Sequence, residues 1–262
     1  MRRVKIKVKS SRRKRFYTKK VYIPRARIKG CEVTLNMPHL AEFNMDDIRG
    51  LVGIVGKCTM LSIQRLSGLV LGAKHIAKHG VVGDVVECGV AGGGSAIAVL
   101  RTLSRSDDIR DVYLYDTYTG MPEPDEMDRK TRDATHAKDL YAEKKNWNAY
   151  SQGKVTHAIT QLCPTYPMDR IRFVQGMVED TIPETAPDKI ALLHLDTDFY
   201  ASTKHTLTHL YPRLVPGGVL VLDDYGAWKG AQQAVDEYMA ENDVKIFLAP
   251  TDYTQRIGIK ES

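Results

Sequence analysis

From residue 84 onward the chain alternates short apolar runs with segments of helical spacing, and this alternation constrains its fold more than any other feature. The runs Asp84 to Cys88, Val112 to Tyr115, Ile171 to Val174, Ile190 to Leu195 and Val219 to Leu222 read as strands. Helical periodicity marks about 95–103, 154–162 and 202–214, and apolar residues from Ile48 to Ile76 recur at helical intervals broken by glycines. Strand and helix in turn argue for an α/β fold built on a parallel sheet with helices on its faces. The Pro-rich, charged stretch 121–150 interrupts this pattern and reads as an insertion or lid.

The predicted strand ends carry the polar residues, which is where ligands sit in such a fold. After the first strand comes Val86-Glu87-Cys88-Gly89-Val90-Ala91-Gly92-Gly93-Gly94-Ser95. Glycines there let backbone approach a ligand, and the N-terminus of the next helix offers N–H groups to it. A dinucleotide fingerprint needs glycine at its third position, where Ala91 stands. ExGxxxG does fit, through Glu87, Gly89 and Gly93, and resembles motif I of S-adenosylmethionine-dependent methyltransferases. The turn residues Glu87, Gly89, Val90, Ala91, Gly93 and Ser95 are thus cofactor candidates. Asp116 ends the second strand, where a carboxylate can accept hydrogen bonds from both ribose hydroxyls, with Thr117 and Gly120 in the turn beyond. Gln175 and Gly176, at the third strand end, suit an adenine edge.

Two further strands run straight into acid: Leu195 into Asp196 and Asp198, Leu222 into Asp223 and Asp224. Residues two apart in a strand share a face, so Asp196 and Asp198 are expected on one side, while the adjacent Asp223 and Asp224 diverge. Carboxylates so close repel one another and call for a cation. Hard oxygen ligands with no His or Cys beside them in sequence favour Mg²⁺ or a similar divalent ion over zinc. His194, His205 and His209 are read as structural.

The segments GDVVECGVAGGGS, YDTYTGMPEP, RIRFVQGMVEDTIP, LHLDTDFYASTKHTLTHLYPRLVPGGVLVLDDYG and AVDEYM, in this order and spacing, resemble the macrocin O-methyltransferase family over roughly residues 55 to 240. Ala91-Gly92 depart from the bulky aromatic and arginine common there. The resemblance implies a class I methyltransferase, a Rossmann-like, mostly parallel sheet with helices on both faces, here with an N-terminal extension and a lid insertion. It implies neighbouring strands for the two acidic pairs, Asp196, Asp223 and Asp224 as Mg²⁺ ligands, and Asp198 as the group that takes a proton from the acceptor. Thr59 and Met60 resemble the part of the family pattern that meets the methionine end of S-adenosylmethionine. The implied reaction is methylation of a sugar hydroxyl on a glycosylated natural product, a small-molecule glycoside acceptor. A catechol-type O-methyltransferase and a nucleic-acid-binding protein on a methyltransferase scaffold are the rival readings.

The net charge of +6 conceals two regions of opposite sign. Residues 1 to 30 hold 14 of the 38 Lys and Arg and none of the 32 Asp and Glu, leaving the rest of the chain 8 units acidic. The division expected is a basic arm, 1–44, and a methyltransferase domain, 45–262. Arg3 to Lys9 alternates apolar and basic residues as a charged edge strand would, with an oligomer contact and polyanion binding as alternatives for the arm. Nucleic acid is disfavoured as a partner, because four clustered carboxylates repel a phosphate backbone. No apolar run is long enough for a membrane span and no secretory signal is visible, which places the protein in the cytoplasm as an expectation. Cys31, Cys58, Cys88 and Cys163 lack the spacing of a zinc site or disulfide framework and read as inert thiols.

Overall fold

In a computed structural model of the chain, residues 45–144 and 146–261 are described. The basic arm, with the edge strand expected from Arg3 to Lys9, falls outside the described residues. The elements in chain order are helices α1 (Met45–Val55) and α2 (Ile63–Lys78), strand β1 (Asp84–Cys88), α3 (Gly94–Arg105), β2 (Val112–Asp116), α4 (Ala137–Glu143) and α5 (Gln152–Leu162). There follow β3 (Ile171–Gln175), the single turn α6 (Val178–Thr181), β4 (Ile190–Leu195), α7 (Tyr200–Leu210), β5 (Leu214–Leu222), α8 (Lys229–Glu241), β6 (Ala249–Pro250) and β7 (Arg256–Ile259).

The strands form one seven-stranded sheet in the order β3-β2-β1-β4-β5-β7-β6. The first five are parallel; β7 runs antiparallel to both β5 and β6. Side chains alternate between two cores, as a period of two requires. Leu192, Val219 and Val221 join the core under α2, α3 and α5, whereas Leu193, Leu195, Leu220 and Leu222 join the core under α7 and α8. All six residues of β4 are buried, which is why its sequence is an apolar run broken only by His194. Truncating a side chain such as Leu193 to alanine here costs about 2–5 kcal/mol through lost burial and the cavity left behind.

Local signals set the helix ends. Ser62 caps α2 by accepting from the Arg65 N–H at 3.2 Å, and the stripe Leu66, Leu69, Val70, Ala73 and Ile76 then buries one face. α7 is shorter than its periodicity suggests. It ends at Leu210, because Pro212 lies in a 3₁₀ turn at Tyr211–Arg213 and Leu214 already pairs with Ile190. β5 accordingly starts five residues earlier than the apolar run Val219 to Leu222 indicates. The helix α8, the turn α6 and the β6–β7 pair were not anticipated.

The stretch 121–150 is folded. It carries α4, and Ala137, Met121, Leu140 and Trp147 pack with Phe199, Trp228 and Ala231 into a small cluster separate from the two main cores. Buried Asp128 fastens it: one oxygen accepts from the Tyr200 N–H at 2.9 Å at the start of α7, the other from the Asp125 N–H at 2.8 Å.

Candidate active site

The register of the central strands lines up their carboxyl ends. Cys88 pairs with Leu195 and Leu195 with Leu222, so Gly89, Asp196 and Asp223 emerge side by side at one edge of the sheet. Chain connections leave β1 toward β2 on one side and β4 toward β5 on the other, which makes this edge the switch point of a doubly wound sheet. A crevice of about 450 Å³ opens there. Of the residues expected at a cofactor or catalytic site, Gly89, Asp116, Thr117, Gly120, Gly176, Asp196 and Asp198 line it.

The glycine turn is shaped mainly by the protein's own backbone. Gly89 has φ +87°, and a Cβ on it would stand 2.0 Å from the Asp196 carbonyl oxygen. At the start of α3, the Gly94 N–H donates to the Cys58 carbonyl at 3.0 Å, and a Cβ on Gly92 would meet that same oxygen at 2.6 Å. The first helical N–H is therefore capped by the segment before α2 and not turned to a ligand, contrary to the sequence-based expectation. Gly93 is the N-cap, packed under Val155. Thr59 lies against Gly94 and accepts from the Leu61 N–H at 3.1 Å, while the Met60 side chain is exposed.

Asp116 is largely committed to the same turn. Its Oδ2 accepts from the Val90 and Ala91 N–H groups at 2.8 and 3.0 Å, and its Oδ1 from the Tyr118 N–H at 2.7 Å. The Thr117 hydroxyl has one proton, which it gives to the Gly120 carbonyl at 2.6 Å, so its 3.4 Å approach to Oδ1 leaves that oxygen an open acceptor position. Gln175 is exposed and donates to the Thr117 carbonyl at 3.3 Å. Glu87 and Ser95 are buried away from the crevice, the Ser95 hydroxyl donating to Glu87. The crevice wall also includes Tyr115, Met121, Pro122, Met177, Val178 and Glu179, which sequence patterns had not singled out. Met121 and Pro122 stand where the insertion leaves the sheet, and that was the one available signal.

The acidic residues converge differently from a strand-face argument. β4 ends at Leu195, and Asp198 lies beyond it with φ +61°. The period of two therefore does not govern Asp198. Asp196, Asp223 and Asp224 instead bring one oxygen each to within 4.8 Å of one another, so the adjacent pair Asp223 and Asp224 converge in place of spreading. Burial and the repulsion of neighbouring carboxylates, Asp223 foremost for Asp196 and Asp198 foremost for Asp224, push both acids well above the ordinary carboxylate range. No donor reaches the Asp196 carboxylate among the described residues.

Asp223 is the exception. Burial works to raise its pKa, but His194, Arg65 and the Gln255 amide, at 2.7 Å, hold it below the usual value. Arg65 pairs directly with Asp223 and reaches Asp252 at 3.4 Å and the Met60 carbonyl at 3.0 Å. His194 is buried with Nδ1 3.2 Å from Glu87 Oε1 and Nε2 4.0 Å from Asp223 Oδ1. Burial lowers its pKa, yet attraction to Asp223 and Glu87 outweighs this and brings it to about 9. His205 bonds the Ile182 carbonyl at 3.0 Å and stacks on His209, remote from the aspartates in its contacts. Asp198 donates its N–H to Asp224 Oδ2 at 2.9 Å and accepts from Trp228 Nε1 at 2.7 Å; burial drives its pKa up to about 6 against the Trp228 bond.

A profile of the family described as Macrocin-O-methyltransferase (TylF) matches residues 53–256. The demethyldecarbamoylnovobiocin O-methyltransferase of Streptomyces niveus is 34% identical over 202 residues, 74% of this chain and 72% of the relative. The mycinamicin III 3''-O-methyltransferase of Micromonospora griseorubida is 34% identical over 69% of each chain. Among solved structures, the O-methyltransferase NovP superposes with a TM-score of 0.68 at 30% identity, over 78% of this chain and 83% of that one. No helix among the described residues is long and apolar enough to cross a membrane. With the sheet order, the crevice at its switch point and the match over most of its length, the chain belongs to the macrocin O-methyltransferase family and is an S-adenosylmethionine-dependent O-methyltransferase.

Proposed function

We propose that this methyltransferase acts on a hydroxyl of a sugar within a glycosylated small molecule, and that it does so with Mg²⁺. The observation that carries the reading is the trio Asp196, Asp223 and Asp224, converging within 4.8 Å beside a crevice that Asp198 lines. Two relatives are named as a mycinamicin III 3''-O-methyltransferase and as a 4'-O-methyltransferase of a rhamnosyl-bearing tetracenomycin C. The donor set fits the ion: three hard carboxylate oxygens, no His or Cys among them, and Asp196 and Asp224 carrying a repulsion that a cation would relieve.

Within this reading the residues divide as follows. Asp116, with its open Oδ1 position, Gly89, Thr117, Gly120 and Gly176 hold the nucleoside of S-adenosylmethionine along the crevice. Glu87, Val90, Ala91, Gly93 and Ser95 shape the turn behind it, Gln175 stands at the crevice rim, and Thr59 and Met60 flank the methionine end. Asp196, Asp223 and Asp224 hold Mg²⁺, which when bound supplies Lewis-acid stabilisation of the oxygen that becomes anionic. Asp198 takes the proton from the acceptor hydroxyl as that oxygen attacks the sulfonium methyl. Burial raises the pKa of Asp198, the direction that strengthens a carboxylate as a base. The arm at 1–44 is read as separate from a catalytic domain at 45–262, in keeping with a family match that starts at residue 53. Three free cysteines among the described residues suit a reducing compartment, the cytoplasm.

The test is methyl transfer from labelled S-adenosylmethionine to a panel of rhamnosides and other deoxysugar glycosides, simple catechols and RNA, with and without chelator. Turnover of glycosides that chelator abolishes and Mg²⁺ restores supports the reading. Transfer to catechols alone, or full activity after chelation, overturns the acceptor class or the metal respectively. Asp198→Asn should lower kcat by roughly 10² to 10⁴ while metal and cofactor still bind, because an amide fills the same space but takes no proton.

A further inference from the structure

The base assigned above does not stand alone. Asp198 adopts φ +61°, a left-handed conformation that is disfavoured for a residue with a Cβ. Two hydrogen bonds hold it there. Its own N–H donates to Asp224 Oδ2 at 2.9 Å, which fixes the backbone, and Trp228 Nε1–H donates to its Oδ1 at 2.7 Å, which fixes the carboxylate. Oδ2 of Asp198 has no N–H partner among the described residues and is left to receive a proton. Trp228 is buried and does not line the crevice, so it meets neither cofactor nor acceptor there, and its hydrogen-bonded link to the crevice is Asp198.

The indole is itself held by the insertion. Its ring packs edge-on against Phe199 at 5.6 Å between centroids and at a tilt against Trp147 of the insertion at 6.2 Å, and Trp147 also meets Phe199 at 6.2 Å. On the backbone, Trp228 bridges to Lys130, flanked by hydrogen bonds from the Thr131 N–H to the Ala227 carbonyl at 2.9 Å and from the Lys229 N–H to the Arg129 carbonyl at 2.8 Å. A buried indole N–H needs an acceptor, but a backbone carbonyl would satisfy it equally well. Here the acceptor is a carboxylate in a strained backbone at the crevice wall.

We propose that Trp228 is a positioning residue for proton transfer, aiming the Asp198 carboxylate through its indole N–H, and that the insertion at 121–150 maintains this aim by packing Trp147 on the Trp228 ring. The inference rests on the reading of Asp198 as the base. A misplaced base lowers the rate of the chemical step without loosening either substrate, since the binding groups are elsewhere.

The measurement is steady-state kinetics of Trp228→Phe with a glycoside turned over in the panel above. The variant keeps an aromatic ring against Phe199 and Trp147 and removes the donor together with part of the ring's volume, which is why the double variant with Asp198→Asn is measured beside it. Expected are a kcat about tenfold lower, KM values for S-adenosylmethionine and glycoside within twofold, and less than a twofold further change when Trp228→Phe is added to Asp198→Asn. A kcat within twofold of native in a folded Trp228→Phe protein overturns the proposal, as does a full tenfold loss in the Asp198→Asn background. Trp147→Leu should lower kcat a few-fold at unchanged KM; native kcat there removes the insertion from the proposal. A second readout needs no turnover. Trp147 and Trp228 are the only tryptophans, so the ¹⁵N indole spectrum has two signals. The Trp228 signal should move upfield in Asp198→Ala, and an unmoved signal contradicts the hydrogen bond. Native kcat in Asp198→Asn would instead sink the base reading, whereas loss there with retention in Trp228→Phe sinks this proposal alone.

Discussion

The guanidinium of Arg65, on the first turn of α2, forms an ion pair with the almost fully buried carboxylate of Asp223, so one of the three converging acids already has a protein counter-charge. Removing one partner of such a pair leaves a buried charge uncompensated, a cost of roughly 3 kcal/mol. For a domain of this size Arg65→Ala should therefore lower Tm by about 6 to 12 °C in chelator. Because the exposed deficit is negative, Mg²⁺ should recover more of this loss than it adds to the native protein, by binding the folded state preferentially. Thermal scans with and without Mg²⁺ check this; equal metal-induced shifts in the two proteins would contradict it.

Asp116→Asn should harm cofactor binding about as much as Asp116→Ala. Three backbone N–H groups converge on the two carboxylate oxygens, from Val90 and Ala91 on one side and Tyr118 on the other. An amide offers an oxygen to only one side and turns its own N–H against the other. Calorimetry with S-adenosylhomocysteine should show affinity lower by about 1.5–3 kcal/mol, the range for hydrogen bonds to a charged group. Asparagine binding as well as aspartate would remove the charge from the argument.

Gly89→Ala should disable the protein without filling the crevice. The added carbon would meet the Asp196 carbonyl oxygen at 2.0 Å, so β1 and β4 must part at the edge where Asp196 and Asp223 emerge. Both the Mg²⁺ requirement and the affinity for S-adenosylhomocysteine should worsen by at least tenfold, because one backbone shift moves both sites. Loss of one with the other intact would show that the two are not joined at this point.

Asp196→Asn should raise the thermal stability of the chelator-treated protein while abolishing its response to Mg²⁺. Asp196 carries the repulsion of Asp223, Asp198 and Glu87 and has no compensating donor among the described residues. Neutralising it relieves that repulsion on the order of 1–2 kcal/mol and removes a ligand. A fall in Tm without metal would mean that Asp196 is held by contacts that its surroundings do not indicate.

The five parallel strands were legible from the sequence because their signal is local. β4 appears residue for residue as the apolar run Ile190 to Leu195, since a strand buried on both faces admits little else. What depended on partners distant in sequence was not legible. Asp116 looked like a free acceptor at a strand end, but three of its acceptor positions are taken by amides from two turns, one of them 25 and 26 residues earlier. Asp198 was assigned a direction from strand geometry that stops three residues before it. Arg65, Gln255 and Trp228 approach the aspartates from α2, the turn just before β7 and the start of α8, and only folding brings them there. Asp128, buried in a stretch that reads as charged loop, gave no local sign of capping α7.

The insertion's separate cluster has a consequence for exchange between relatives. Its apolar contacts with the body include Phe199, Trp228 and Ala231, together with neighbouring Ala227, and its polar fastening runs through Asp128 to the start of α7 and through backbone bonds of Arg129 and Thr131 to Lys229 and Ala227. Of the main cores, the one under α2, α3 and α5 meets the stretch through Tyr150, at its C-terminal end. A 121–150 segment transplanted from another member would need to match these docking positions and the Tyr150 contact, and through Met121 and Pro122 it would bring part of the crevice wall with it.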